Sequence, residues 1–252
     1  MAEVKSYFDR HTHDDAYHKS PDYYFSLIEH LKKEFKLNEK IKILDVGCGD
    51  GSFIKDMMDS GISADSMGMD ISLKMINIAK DIITNFTVEL INADVFNMPL
   101  KSDYKFDLIH IDCVLHHLIG KTRSDSIRLS EQILRKLVDR LSENGILIVE
   151  EWLYLSYFIP QLTSTIIFYG LKLLNFLHLD ITKVVNEIKP GLEVNFFHGN
   201  ELENLLKRNG TTIFIEKRVK HTAIPRLYRC LLLKDLEYIS YIAKAQSVSK
   251  SL

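Results

Sequence analysis

Thirteen residues, Ile41-Lys-Ile-Leu-Asp-Val-Gly-Cys-Gly-Asp-Gly-Ser-Phe53, constrain this chain more than any others. Ile41 to Val46 alternates and then runs apolar, as a buried parallel strand does. Gly47, Gly49 and Gly51 follow at once, and the residues from Ser52 onward suit a helix. Strand, glycine turn and helix in succession bring backbone close to a charged ligand. Glycine is required because a Cβ would block that approach or forbid positive φ. The fold class that follows is α/β with a mostly parallel sheet.

The downstream pattern agrees. Met67 to Ile71 reads as a second strand carrying Asp70, 19 residues beyond Gly51. An acid at that distance can accept hydrogen bonds from a ribose diol. Val88 to Asp94 reads as a third strand and Lys105 to Asp112 as a fourth. Asp70, Asp94 and Asp112 thus stand at the C-terminal ends of successive strands, the edge where open α/β sheets hold ligands.

Together, Asp-Val-Gly-Cys-Gly-Asp-Gly at 45–51, the acid at 70, Ala-Asp at 93–94, Phe-Asp-Leu-Ile at 106–109 and Leu-His-His at 115–117 resemble the class I S-adenosylmethionine-dependent methyltransferases. The resemblance is strongest to the small-molecule branch typified by ubiquinone- and menaquinone-biosynthesis enzymes, and it covers roughly residues 40–150. It implies a Rossmann-like, doubly wound, seven-stranded sheet closed by an antiparallel pair. It also implies S-adenosylmethionine as cofactor and S-adenosylhomocysteine as product. By the same resemblance Gly47, Cys48, Gly49 and Gly51 give the close backbone approach, and Asp45 orients the methionyl end. Asp70 and Ile71 lie at the ribose, Met75 covers the adenine, Asp94 receives its amino group and Val95 flanks the ring. Asp112 and Cys113 border the reaction centre. Capping of turns is the plainer reading of Asp70 and Asp94, and core packing that of Met75. A nicotinamide-binding G-x-G-x-x-G is disfavoured, because Ser52 stands where its third glycine belongs.

Methyl transfer from sulfur needs alignment and a water-poor site, with a base only where the acceptor carries a proton. His116 and His117 follow the fourth strand, where such a base would stand, with His117 slightly ahead; pocket lining is the alternative role for both. His198 is a second candidate. His11, His13 and His18, with Asp14 and Asp15, match no metal-ligand spacing, so no metal is expected; this polar segment reads as a solvated arm. The resemblance would instead fold it over the cofactor, with Tyr17 or a neighbour closing the pocket.

The 252 residues suit one domain, with an arm and helix over 1–36 and a helical cap over 152–199. Further helices are expected at Tyr23–Phe35, Phe53–Met58, Leu73–Ile83 (capped by Ser72) and Ile127–Leu141, and a fifth strand at Gly145–Glu150. Trp152 to Leu171 runs 20 residues without a charge, the length of a membrane span. Pro160 and Gln161 interrupt it, and strands still follow, so a cap over an apolar or amphipathic substrate, or a dimer surface, fits better; weak membrane contact is compatible with it. Beyond it come a helix from Glu201 to Lys207 behind an Asn200–Glu203 capping box, strands at Thr211–Val219 and Leu227–Leu233, and a briefly helical tail from Lys234.

A net charge of −2 offers no basic face for nucleic acid. Three cysteines without metal spacing, and no apolar leader, point to a reducing cytoplasm. The function expected is methyl transfer to a small acceptor. A macromolecular methyltransferase and a non-catalytic cofactor-binding module are the alternatives, and monomer and homodimer stay equally open.

Overall fold

The computed structural model describes residues 2–10, 21–34, 40–177, 192–221 and 229–246. The expectations for His11, His13, Asp14, Asp15, Tyr17, His18 and residues 178–191 lie outside these.

The central strand is β1 (Ile41–Val46), where only Lys42 is exposed. Such a nearly unbroken apolar run belongs between two parallel neighbours. They are β2 (Ala64–Asp70), in register from Ile41↔Ala64 to Val46↔Met69, and β4 (Phe106–Asp112), from Ile43↔Leu108 to Val46↔Ile111. β3 (Val88–Asn92) lies parallel to β2. With β5 (Leu141–Ser156), β6 (Thr211–His221) and β7 (Leu233–Ala245), the strand order is β3-β2-β1-β4-β5-β7-β6, a seven-stranded sheet with an antiparallel pair at its end.

By contacts the chain divides into two units. The first comprises Lys5–Ile111 and Arg140–Ile146. Here α3 (Ser52–Asp59) leaves the glycine turn and buries Phe53, Ile54 and Met57. Gly68 explains how closely the layers pack: a Cβ there would lie 2.9 Å from Leu90 Cδ2, 3.0 Å from Cys48 Sγ and 3.1 Å from Ile54 Cδ1. As expected, Ser72 caps α4 (Leu73–Ile82), accepting the Met75 N–H. At the chain start α1 (Ala2–Arg10) is helical. It is tied down by Asp9, which accepts the Ser72 hydroxyl at 2.7 Å. After α2 (Pro21–Glu34) buries Leu27, Ile28 and Leu31, the chain enters β1.

The second unit comprises Asp112–Asp139, the chain from Leu147 onward and the first four residues. α5 (Arg123–Val138) starts four residues before the expected Ile127. Thr122 and Asp125 form a reciprocal capping box that fixes this start. The expected box at Asn200 is absent, since that side chain makes no cap hydrogen bond. Instead α7 (Glu201–Arg208) is anchored by Glu201, held by Arg123 at 2.6 and 2.8 Å.

β5 (Leu141–Ser156) is far longer than the six residues expected. Residues 152–156, assigned to a helical cap, are strand: Leu153 and Tyr154 are buried, and Leu153 bridges Phe197. The helix begins only at α6 (Leu162–Phe176), past Pro160. Among the described residues no helix is long and apolar enough to cross a membrane.

The tail differs most. β6 (Thr211–His221) pairs with β7 (Leu233–Ala245), where a brief helix was expected from Lys234 and a strand at 227–233. Its charges lie along one strand. They are cross-strand partners: Glu237 meets Arg218 at 3.3 Å and Lys220 at 3.6 Å, while Asp235 meets Lys220 at 3.5 Å. That leaves Leu236, Tyr238, Ile239, Tyr241 and Ile242 to the core.

Candidate active site

In the first unit the β1–α3 turn bends through Gly47, Gly49 and Gly51 at φ of 71°, 54° and 81°. Glycine is obligatory at this succession. The turn's N–H groups are engaged internally. Those of Gly47 and Cys48 donate to the Met69 carbonyl, that of Gly51 to the Cys48 carbonyl, and that of Gly49 to Asp70 Oδ2 at 3.0 Å. The turn therefore offers a ligand closeness more than free donors. At Gly49 the nearest atom to a Cβ would be Met75 Cε at 3.6 Å, so the glycine leaves a shallow cradle with Met75 at its side.

Asp70 closes that cradle from the end of β2. Its Oδ1 accepts the Ser72 N–H at 2.8 Å, so the carboxylate joins glycine turn and α4. It caps, as its plainer reading had it, yet capping does not exhaust the lone pairs of two oxygens. Burial pushes its carboxyl up to about 6, against the two N–H groups that pull it down. A buried acid so poorly compensated suits a site that binds hydroxyl donors. Asn92 donates to the carbonyls of Asp70 and Ile71, which fixes the chain carrying Ile71.

Asp94, after β3, accepts the Phe96 N–H at 2.9 Å through Oδ1, with Val95 buried behind it. Its Oδ2 makes no hydrogen bond among the described residues. Beneath the turn Asp45, 2% exposed, shares a 2.7 Å hydrogen bond with His110 Nδ1, and Phe53 stacks on that imidazole at 3.7 Å. Burial pushes the Cys48 thiol up, which keeps it a packing group and not a nucleophile.

In the second unit, Asp112 accepts the Tyr238 hydroxyl. Cys113 has φ of 53°, a left-handed conformation that a side chain adopts only under tertiary constraint. Its N–H is held by the Glu150 carbonyl. One turn of 3-10 helix over Leu115–His117 follows. Glu151, fully buried, grips it: Oε1 accepts the N–H groups of Leu115 at 2.8 Å and His116 at 3.3 Å, and Oε2 meets His116 Nδ1 at 2.6 Å. The Asn195 N–H holds the His116 carbonyl at 2.8 Å. Phe196, stacked on Tyr154 at 3.9 Å, lies 5.3 Å from the His116 ring. Burial, then the neighbouring His116, pushes the His117 imidazole down, so that ring resists taking a proton. His198 faces Glu201 Oε1 at 3.4 Å, beside the Arg123 ion pair.

The first unit therefore gathers Asp45, Gly47, Cys48, Gly49, Gly51, Asp70, Ile71, Met75, Asp94 and Val95 around the ends of β1 to β3. Asp112, Cys113, His116 and His117 form their own cluster in the second. Sequence reasoning missed His110, Glu151 and Asn195. Glu151 had a legible signal, since two adjacent glutamates continuing an apolar strand must find partners if buried.

The cradle fits a nucleoside ligand on its own chemistry: a close-approach turn, a buried acid for a diol and a half-satisfied acid for an amino group. A sequence profile described as a methyltransferase domain matches residues 37–224. An uncharacterised protein of Methanocaldococcus jannaschii is 26% identical over 250 residues, covering 96% of this chain and 90% of that one. A ubiquinone/menaquinone biosynthesis C-methyltransferase of Campylobacter jejuni is 28% identical over 121 residues, 46% of each chain. The fold is similar to a solved S-adenosylmethionine-dependent methyltransferase of Methanosarcina mazei, with TM-score 0.59, 17% identity and coverage of 86% of this chain and 97% of that one.

Proposed function

This chain belongs to the class I S-adenosylmethionine-dependent methyltransferases, and from that premise we propose that it methylates a small, apolar or amphipathic acceptor. Bound at the glycine turn, S-adenosylmethionine supplies an electrophilic methyl group on a sulfonium that leaves as a neutral thioether. The residues of this chain have the remaining tasks. Asp70 holds the ribose diol, with Ile71 beside it. Asp94 takes the adenine amino group between Val95 and Met75. Gly47, Cys48, Gly49 and Gly51 admit the ligand's backbone-side edge, and Asp45 orients the methionyl end. The histidine pair, His116 and His117, is the candidate base of the second unit.

The acceptor reading is supported by the surroundings of His116: the fully buried Glu151 carboxylate at its ring and, 5.3 Å away, Phe196 stacked on Tyr154. Apolar rings beside a polar pair suit a small molecule with an apolar body and one polar reacting group. Two further features support it. The C. jejuni relative is named for quinone biosynthesis. The cap helix α6 also leaves Tyr169, Leu173 and Phe176 about half or more exposed. Cys48, Cys113 and Cys230 are free thiols, in keeping with a reducing cytoplasm.

Incubation with methyl-labelled S-adenosylmethionine and, in separate tubes, a solvent extract of cell lipids and quinones, bulk RNA or bulk protein tests the reading. Label recovered in the solvent phase supports it. Label confined to RNA or protein contradicts it and favours a macromolecular acceptor.

A further inference from the structure

Beneath the glycine turn the strands set an acid and an imidazole side by side. Asp45 on β1 stands in register with His110 on β4 and, on its other flank, with Gly68 on β2. Laterally paired residues of a sheet point to the same face. Gly68 has no side chain to offer, so the Asp45 carboxylate takes its hydrogen bond from His110, whose Nδ1 lies 2.7 Å from Oδ1. A carboxylate accepts and donates nothing, so the proton between them sits on Nδ1. Both residues are only 2% exposed. Phe53 of α3 lies flat on the imidazole, with ring centres 3.7 Å apart and planes 16° apart. The ring is thus held by sheet, helix and carboxylate together. Asp45 Oδ2 makes no hydrogen bond among the described residues, yet it is not sealed in. One oxygen is anchored and the other is left for a ligand. Burial first, then the charges of Asp45, Asp70 and Asp50, push the Cys48 thiol up, so the turn lies in a negative field that suits a cation.

We propose that His110 is a positioning residue for the methyl donor: by fixing Asp45 it makes the site select nucleosides that carry an ammonium-bearing tail over those that end at the sulfur. The proposal rests on the methyltransferase reading above and adds a determinant of specificity to it. A carboxylate free to turn would have to be ordered at each binding event, whereas one already anchored meets the ammonium at no such cost. His110 does this without touching the ligand or exchanging a proton with it. Two ligands separate this role from simple packing. S-adenosylhomocysteine carries the amino-acid tail, and methylthioadenosine shares its adenosine and sulfur but lacks the ammonium. Two substitutions separate it further. Leucine at 110 leaves Oδ1 buried without a hydrogen-bond partner and lets the carboxylate turn. Asparagine places an amide N–H near the position of Nδ1 and keeps the anchor.

The test titrates the full chain calorimetrically with S-adenosylhomocysteine and with methylthioadenosine, in the wild type, His110→Leu and His110→Asn. The expected result in His110→Leu is an S-adenosylhomocysteine Kd raised about tenfold or more, with the methylthioadenosine Kd within about twofold of wild type. His110→Asn should return the S-adenosylhomocysteine Kd to within about threefold of wild type, because its amide N–H takes the place of Nδ1–H. A packing role alone predicts that both ligands weaken together and that asparagine, which leaves Phe53 without its stacked ring, rescues nothing. Equal losses for the two ligands, or an unchanged S-adenosylhomocysteine Kd in His110→Leu, overturn the proposal. A second arm reads the wild type labelled with 15N-histidine, with His110→Asn to assign the ring. The Nδ1 proton of His110 should shift when S-adenosylhomocysteine is added and stay in place with methylthioadenosine. An Nδ1 without a proton, or the same response to both ligands, overturns the proposal as well. Failure of both ligands to bind would instead sink the methyltransferase reading, and the proton on Nδ1 would still be read.

Discussion

Replacing Asp70 by asparagine should move donor affinity and stability in different directions. The carboxylate joins Gly49 N–H at 3.0 Å to Ser72 N–H at 2.8 Å and faces the proposed ribose position. Asparagine keeps one acceptor oxygen and turns an NH2 toward the other site. A charge-assisted hydrogen bond to the diol is lost, worth about 2 kcal/mol, or roughly 30-fold in Kd. Stability follows another sign. Burial raises the native carboxyl from 3.8 to about 6, so stability is lost as pH rises through that window. The penalty is about 3 kcal/mol at neutral pH and vanishes as pH falls below the unfolded value. Asparagine removes it but leaves one buried N–H opposed, which costs about 1–3 kcal/mol. Stability should therefore stay level or rise by up to about 2 kcal/mol while the donor binds less tightly. Calorimetric titration and urea unfolding at pH 7.5 read the two quantities. Affinity within twofold of wild type would refute the ribose assignment, and a large stability loss would refute the desolvation argument.

If the ionised Asp70 accepts the diol as proposed, donor affinity should fall below pH 6, by about tenfold at pH 5 relative to pH 7.5; a flat calorimetric profile would deny this. Gly51→Ala puts a Cβ 2.4 Å from Ile83 Cδ1 at φ of 81° and should cost about 2–4 kcal/mol in urea unfolding. Gly49→Ala meets nothing nearer than 3.6 Å, so it should lose only about 1 kcal/mol of stability yet weaken donor binding more than tenfold. Glu201→Ala leaves the largely buried Arg123 with only the Phe196 carbonyl and should destabilise by about 2–3 kcal/mol, with donor affinity unchanged.

The half of the chain that carries the glycine turn was legible because its signals are local. Glycines with positive φ, a capping serine at 72 and acids at strand ends each declare themselves within a few residues. The second half depends on partners far apart in sequence. Glu237 finds Arg218 and Lys220 only across the strand from it, so the brief helix expected from Lys234 is β7 instead. Trp152 to Tyr154 has the same apolar composition in a strand as in a cap helix, and only the bridge to Phe197 decides between them. Asn200 followed by Glu203 satisfies a capping pattern, but Arg123 takes hold of α7 through Glu201 instead. The sequence put His117 slightly ahead of His116, because the glutamate that holds the His116 ring lies 35 residues downstream of it.

The central claim is that the turn after β1 and the acids after β2 and β3 form a site for S-adenosylmethionine. Parallel calorimetric titrations of the wild-type chain with S-adenosylmethionine, S-adenosylhomocysteine and NADH test it most directly. The account predicts micromolar binding of the first two and none of the third. Binding of NADH alone, or of none of the three, would contradict it.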